Sequence, residues 1–381
     1  DLDANREVVR DEAEKRLMEM GAAAVPYLPP VTDDASDEFR MRLDRVRVAL
    51  LERDKKMLTE PTRVTIQGTM TAREAFDALE DQTGNRLPLE DVQGLEQNID
   101  IDLDDMLYWE AVDELLDKLG LTVMPIDGDA LRMIPRTPEL PQRIAMASYA
   151  GNFRLEPIAV MKEQRLYEPE LSSTSIELSL MWEPRLNPVF VRYELEGLEL
   201  TCDNGEVLRP KTGQGSDFAP TGSQLIALLE FDRPTRSAKE IVSWKGIFRC
   251  AIPGKPVAIG FKDLDEANSL VTLGDIEVTL EKVRENRDVQ EILLGITLRG
   301  DQGVDSMQGW TSLIDAYLRD KEGDRIEHVG WSTTRITDRG IGLSFLFEVE
   351  EELKGYEFVF TAPQSILQQS VEYNLGSVPL P

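Results

Sequence analysis

The sequence predicts an α+β chain of several modules: an N-terminal helical hairpin, a small βα-repeat domain and two tandem antiparallel β-sandwiches. Three observations carry this reading. Apolar residues recur at helical spacing in the first 60 residues and again in two short stretches further on. One segment occurs twice, as Glu74-Ala75-Phe76-Asp77-Ala78-Leu79 running to Gly84 and as Glu110-Ala111-Val112-Asp113-Glu114-Leu115 running to Gly120. Beyond about residue 140, short β-branched and aromatic runs broken by Gly, Pro, Asn and Asp take over. The expected modules are residues 1–60, 61–136, 140–262 and 263–381.

At 381 residues and 41% hydrophobic content, the chain is long enough to bury several cores. Its formal net charge of -29 argues against nucleic acid and anionic membrane surfaces, both of which need clustered Lys and Arg to replace counterions. Acidity favours solubility, a salty medium or basic partners. No uninterrupted apolar stretch reaches the roughly 20 residues of a membrane-spanning helix. The chain starts at Asp1 without an initiator Met, which fits a removed signal peptide or an engineered start.

In the first module, Val9, Ala13, Leu17 and Met20 form one stripe, ended by Gly21, and Phe39, Leu43, Val46 and Leu50 form another. Pro26, Pro29 and Pro30 mark the turn between them. The run from Arg6 to Gly21, followed by Ala24-Val25-Pro26-Tyr27-Leu28, resembles a HEAT repeat, a helix pair that normally stacks in arrays. A single unit cannot bury both faces, so this pair either lids the protein's own core or meets a partner.

In the second module, Ala72, Ala75, Phe76 and Leu79 fall on one helical face, as do Tyr108, Ala111, Val112, Leu115 and Leu119. Thr71 with Glu74 forms a capping-box pattern, and Gly84 and Gly120 stand where left-handed residues end helices. Val64-Thr65-Ile66, Ile99 to Leu103, Leu121 to Met124 and Ala130 to Ile134 supply strands, the last two joined across Asp127-Gly128-Asp129. With Gln82-Thr83-Gly84 and Lys118-Leu119-Gly120 as helix ends, residues 61–136 resemble the short N-terminal domain of secretins and TonB-dependent receptors. Neither a pore domain nor a receptor barrel follows. The resemblance therefore implies only what that domain usually does, which is to contact partner proteins in the cell envelope.

The linker Arg136-Thr137-Pro138-Glu139-Leu140-Pro141 leads into the β-rich half. A fainter duplication runs through it. Ile176 to Trp182 answers Ile292 to Leu298, and Asp203-Asn204-Gly205 answers Asp320 to Gly323. Leu225 to Phe231 answers Ile341 to Phe347, and Lys245 to Phe248 with Pro253 answers Lys354 to Phe358 with Pro363. Two immunoglobulin-like sandwiches are expected, with Trp182, Phe248, Trp310 and Phe358 as core anchors, each contributing about 1.5–3 kcal/mol on burial. With the closing Val371 to Leu375 and Val378 to Pro381, this half resembles acidic envelope proteins of planctomycete-type bacteria.

Residues with chemical potential are few. The single histidine, His328, reads as a partly exposed strand residue, since one imidazole builds neither a His-based metal site nor a triad without a recognisable nucleophile. Gly213-Gln214-Gly215-Ser216 lacks the Lys and the strand-to-helix context of a phosphate loop. Asp100, Asp102 and Asp104 alternate with Ile99, Ile101 and Leu103, so their carboxylates face solvent from a strand. As a calcium loop they fail, because Asp105 and Ala111 stand where the loop needs Gly and Glu. Cys202 and Cys250 either bridge two strands or remain free, buried thiols.

The expectation is a non-enzymatic, extracytoplasmic interaction or scaffold protein of the bacterial cell envelope, with no catalytic, cofactor or metal residues assigned. Its partner would be an envelope protein or another copy of itself, bound by strand addition at an exposed edge of the βα-repeat domain. The alternative is a sandwich module that grips a carbohydrate or divalent cation, with Trp331, Tyr317 and acid-rich loops available.

Overall fold

The computed structural model describes residues 2–381 apart from 22–23, 25–27, 29–35, 91, 125–130, 138–146, 212–216, 221, 263, 265–268, 274–275, 287–288, 299–312, 338, 350–351 and 364. Pro26, Pro29, Pro30, the Asp127-Gly128-Asp129 turn, Pro138, Pro141, Gly213 to Ser216 and Trp310 thus lie outside the described residues. The fold is α+β and mostly strand. Its helices are α1 (Glu7–Met20), α2 (Asp37–Thr59), α3 (Ala72–Thr83) and α4 (Tyr108–Leu119). Around α3 and α4 run β1 (Arg63–Thr71), β2 (Asn98–Leu107), β3 (Leu121–Met124) and β4 (Arg132–Pro135). Then follow β5 (Ser148–Ala150), β6 (Phe153–Glu163), β7 (Ser173–Trp182), β8 (Phe190–Cys202), β9 (Val207–Leu208), β10 (Asp217–Phe218), β11 (Gln224–Asp232) and β12 (Glu240–Pro253). The remaining strands are β13 (Pro256–Phe261), β14 (Ser269–Leu273), β15 (Ile276–Asn286), β16 (Val289–Leu298), β17 (Asp315–Arg319), β18 (Arg325–Glu327), β19 (Gly330–Thr337), β20 (Gly340–Phe347), β21 (Glu357–Pro363), β22 (Ile366–Leu375) and β23 (Val378–Pro379).

The chain divides into two compact units. One, the helical-pair unit, comprises Asp1–Leu58 and Ala251–Gln368; the other, the repeat unit, comprises Thr59–Cys250 and Gln369–Pro381.

In the repeat unit, α3 begins where the Thr71 hydroxyl accepts from the Glu74 backbone at 3.2 Å and Glu74 accepts from the Thr71 backbone at 2.8 Å. That backbone bond, helped by the Thr71 hydroxyl, holds the Glu74 carboxyl below its ordinary range. Gly84 and Gly120 end the two helices at φ 69° and 65°, a conformation that costs a residue with a Cβ. Ala75, Phe76 and Leu79 join Tyr108, Ala111, Val112 and Leu115 in one buried cluster with Ile99, Ile101 and Leu103 of β2. Strands β1 and β2 pair antiparallel, and the register shifts between Val64 and Ile66. At the intervening Thr65, the Gln82 side chain takes both backbone groups, accepting from the N–H and donating to the carbonyl at 3.0 Å each. A single amide side chain thereby stands in for a neighbouring strand.

The β-rich part of this unit has two facing sheets, ordered β11-β7-β6-β5 and β10-β8-β12-β22. Phe153 meets Phe248 edge-on at 5.0 Å, and Phe231 meets Trp244 at 5.7 Å. The helical-pair unit repeats the plan with β14-β15-β16-β20-β19 and β13-β21-β17-β18, joined by Phe345 and Phe347 against Phe358. The sequence duplication maps onto matching places: β7 lies between β6 and β11, and β16 lies between β15 and β20. Trp182, Phe248 and Phe358 are fully buried, as expected of core anchors.

The duplication alone assigns each last strand to its own repeat. The structure trades them. Strand β13 follows β12 yet pairs with β21, and β22 follows β21 yet pairs with β12. The trade keeps one pairing offset, seen at Ile241 with Val378 in the repeat unit and at Pro256 with Pro363 in the other. The passage from one compact unit to the next falls within β12, between Cys250 and Ala251.

In the helical-pair unit, Leu43, Val46 and Leu50 of α2 are buried with Leu2, Ala24, Leu28 and Leu51. On α1, Leu17 and Met18 pack against this cluster, whereas Met20 is 63% exposed. The expected α1 stripe thus ends one turn early, because Met18 takes the place facing α2. Arg42 of α2 ties the two helices through Asp11 at 2.7 Å and Glu14 at 3.0 Å, and bonds Glu38 of its own helix at 3.1 Å. Asp54, near the end of α2, accepts the Lys255 backbone N–H while its Oδ2 is buried without a partner. Burial raises its pKa above the ordinary value, against the opposing pull of Lys255. A carboxyl whose folded pKa is raised opposes folding when ionised, and the cost disappears as the pH falls through the folded pKa. Asp54→Asn should therefore raise the melting temperature at pH 7 and leave it unchanged at pH 3, as followed by thermal unfolding across that range.

Candidate docking surface and adjoining cleft

The outer face of the β1–β2 ribbon is set by strand alternation. Ile99, Ile101 and Leu103 turn into the core, while Asp100, Asp102 and Asp104 are exposed, as the sequence predicts. Gln67 donates to Asp102 at 3.0 Å, and Thr69 donates to Asp100 at 3.4 Å. Arg63 bonds the Asp105 carbonyl at 2.6 Å and its carboxylate at 3.0 Å, fixing Asp105 at φ 50°. The ribbon therefore offers a row of exposed carboxylates. Among the described residues, no group of His, Cys, Asp and Glu is placed to hold a metal ion.

Two buried polar networks fasten this ribbon's module to the facing sheets. The first centres on Arg154 of β6. Its Nε donates to Asp113 of α4 at 2.6 Å, and its Nη1 donates to Glu156 at 2.9 Å. Tyr149 of β5 donates its hydroxyl to the same Asp113 oxygen at 2.7 Å. Asp113 and Arg154 are fully buried, and opposite charge with the bonds on Asp113 Oδ2 offsets the lost water, although Asp113 Oδ1 and Arg154 Nη2 lack a hydrogen-bond partner among the described residues. Burial alone would lower the Arg154 pKa, but Asp113 and Glu156 raise it, so the guanidinium stays charged. Burial, with the Asp113 charge added, raises Tyr149 and keeps its hydroxyl protonated as a donor.

The second network centres on Glu183, also fully buried. It accepts from the Thr62 backbone and hydroxyl at 2.8 Å each, from Asn85 at 2.9 Å and from Arg185 at 2.6 Å. Arg185 reaches on to the Glu60 carbonyl, and Asn152 donates to the Thr59 carbonyl. Every atom in both networks belongs to the repeat unit. Met181 and Tyr149 join the apolar cluster of the βα-repeat as well, so module and sheets share one core. Pattern reading missed these residues. The available signal was a charge inside an apolar run: Asp113 beside Val112, Arg154 between Phe153 and Leu155, and Glu183 after Trp182.

Beside Tyr149 a cleft of about 780 Å³ opens, lined by Ser148–Ala150, Glu194, Glu196–Leu198, Lys245–Ile247 and Glu372–Asn374. Its lining residues include Tyr149, Tyr373, Asn374, Lys245 and the acidic Glu194, Glu196 and Glu372. Glu194 is paired with Arg249 at 2.9 Å. Such a lining suits a hydroxylated or cationic organic molecule.

The other sequence candidates lie elsewhere. His328 follows β18 half-buried against Phe345 and Phe347. Trp331 stacks one face on Phe345 and leaves the other partly exposed, whereas Arg325 covers the Tyr317 ring at 4.1 Å, closing it to a stacked sugar. Cys202 and Cys250 are free and buried. The Asp203 backbone N–H donates to the Glu240 carbonyl, which places Cys202 near Ile241, at the far end of β12 from Cys250. Nine strand residues at about 3.3 Å each separate them by about 30 Å, where a bridge needs Cα atoms within about 7 Å. The bridge that the sequence permits is therefore not made. Burial raises both thiols, Cys250 to about 12, which leaves them protonated and unreactive at neutral pH.

Compared with known proteins, the chain matches no family model and no curated protein. A solved structure, the conserved domain protein from Bacillus anthracis, is similar at 11% identity over 62% of this chain and 90% of that one. Its TM-score of 0.14 carries no argument about fold or function. No helix of the described residues is long and apolar enough to cross a membrane.

Arg154→Met should destabilise the repeat unit by about 3–5 kcal/mol in urea unfolding, because it strands two buried carboxylates. Arg63→Ala, on the exposed ribbon, should cost at most about 1 kcal/mol.

Proposed function

We propose that the chain is a non-enzymatic interaction protein of a bacterial cell envelope, working outside the cytoplasm and docking a basic protein partner on the outer face of β1–β2. The observation that carries this is the row Asp100, Asp102 and Asp104, exposed on a module whose opposite face is locked into its neighbouring sheets. A preorganised surface loses little entropy on binding, and carboxylates in a row steer a cationic partner at low ionic strength. Net charge of -29 supports the same sign of partner. The resemblance of residues 61–136 to the short N-terminal domain of secretins and TonB-dependent receptors supports docking as that module's work. On this reading the helical pair is HEAT-like, and the paired sheets are immunoglobulin-like spacers.

A second reading rests on the cleft beside Tyr149 and Tyr373, which would take a carbohydrate or a cationic molecule.

Cross-linking in the native envelope, followed by mass spectrometry, separates the two. Docking predicts reproducible links from the β1–β2 ribbon to one protein, reduced at least tenfold by Asp100→Lys with Asp102→Lys and weakened by salt. Both aspartates are exposed, so the variant keeps its fold. Unchanged capture by that variant, or a melting shift with glycans in the absence of any partner, would move the assignment to the cleft.

A further inference from the structure

We infer that the partner docks by adding an extended segment to the outer edge of β1, the edge away from β2, and that Gln82 is the placeholder it displaces. The inference deepens the docking reading and rests on it. The direction of each backbone group on β1 follows from the ends of the strand. The Tyr108 N–H donates to the Thr62 carbonyl at 3.1 Å, and the Ala72 N–H donates to the Gln97 carbonyl at 2.9 Å, so both ends turn toward the β2 side. Alternate residues of an antiparallel strand direct both backbone groups the same way, so Val64, Ile66, Gly68 and Met70 serve β2 while Thr65, Gln67 and Thr69 turn outward. Gln82 agrees with this assignment. Its amide takes the Thr65 N–H and carbonyl at 3.0 Å each, as the peptide group of a neighbouring strand would.

Beyond that plug the edge is open. Among the described residues, the outward backbone groups of Gln67 and Thr69 have no partner, and both residues are exposed. The edge ends at Thr71, whose N–H is taken by Glu74 as α3 begins. Such a row of unpaired groups templates a further strand, with main-chain bonds supplying the affinity. The neighbouring side chains set what that strand carries. Gln67 donates to Asp102 and Thr69 to Asp100, so residues of an added strand opposite Gln67 and Thr69 share a face with both carboxylates, two strand spacings or about 10 Å from β2. A Lys or Arg side chain spans that distance. The occupant is therefore an extended protein segment with Lys or Arg at alternate positions, and its backbone replaces the two bonds that Gln82 gives up.

The test uses the full chain and a short synthetic peptide of alternating Lys and Val, with the same peptide N-methylated at each Lys as a control of equal charge that cannot pair. Strand addition predicts that the first peptide slows amide exchange at Gln67 and Thr69 at least about tenfold and that the methylated peptide does not. Gln82→Ala, which empties the Thr65 edge, should tighten the first peptide by about three- to tenfold. Gln67→Pro removes the outward N–H while leaving the bonds to β2, and should weaken it to the level of the methylated control. Equal binding of the two peptides, both lost with Asp100→Lys and Asp102→Lys, would overturn strand addition and leave charge-driven docking on the face standing. Failure of either peptide to bind would also overturn it, and cross-linking of the ribbon in the native envelope then decides docking by itself.

Discussion

The ion pair of Asp113 with Arg154 is the constraint on which the repeat unit depends. A charge removed from water must find its opposite at hydrogen-bond distance or cost several kcal/mol. Here the opposite charge comes from a different module, helix α4 meeting strand β6. The pair can be satisfied in one arrangement of the two, whereas an apolar contact tolerates sliding. Glu183 repeats the device at the start of β1, where it binds Thr62 and Asn85 together. Two such points, with Met181 and Tyr149 between them in the shared core, fix the βα-repeat as a platform rather than a bead on a linker.

The second constraint is topological. Tandem duplicates ordinarily close on themselves, yet here the repeat unit takes β22 and β23 from beyond the other repeat, while β13, which follows β12, joins β21. The pairing offset is the same on both sides of the trade. Gly246 shows how specific the fit has become, since Tyr373 occupies the volume that any side chain there would need. The sheets of the repeat unit are therefore incomplete without the segment after Gln368, whereas β13 to β21 run as one continuous piece of sequence.

Local patterns made the βα-repeat legible, because its signals are short range. Thr71 with Glu74, the two left-handed glycines, and the alternation of Ile99, Ile101 and Leu103 each report on neighbours within a turn or a strand. The duplication, too, was visible from Ile176 to Trp182 against Ile292 to Leu298. The trade of β13 and β22 was not, since a strand's pattern states which face is buried and says nothing about which edge it joins. The same limit applies to Cys202 and Cys250. Their loop length permits a bridge, but the ladder register sets them at opposite ends of a strand. Arg154, Glu156 and Glu183 were hidden for a different reason: a charge in an apolar run reads as a surface residue until its partner, distant in sequence, is known.

Native-state hydrogen exchange of the repeat unit tests most directly whether the buried charges make the module and its sheets one body. The account predicts that the amides of Ile99 to Leu103 in β2 and of Ile176 to Leu180 in β7 open with the same free energy and the same denaturant dependence. If the β2 amides open at lower free energy while β7 stays protected, the βα-repeat is a separate domain. The central claim would then fail.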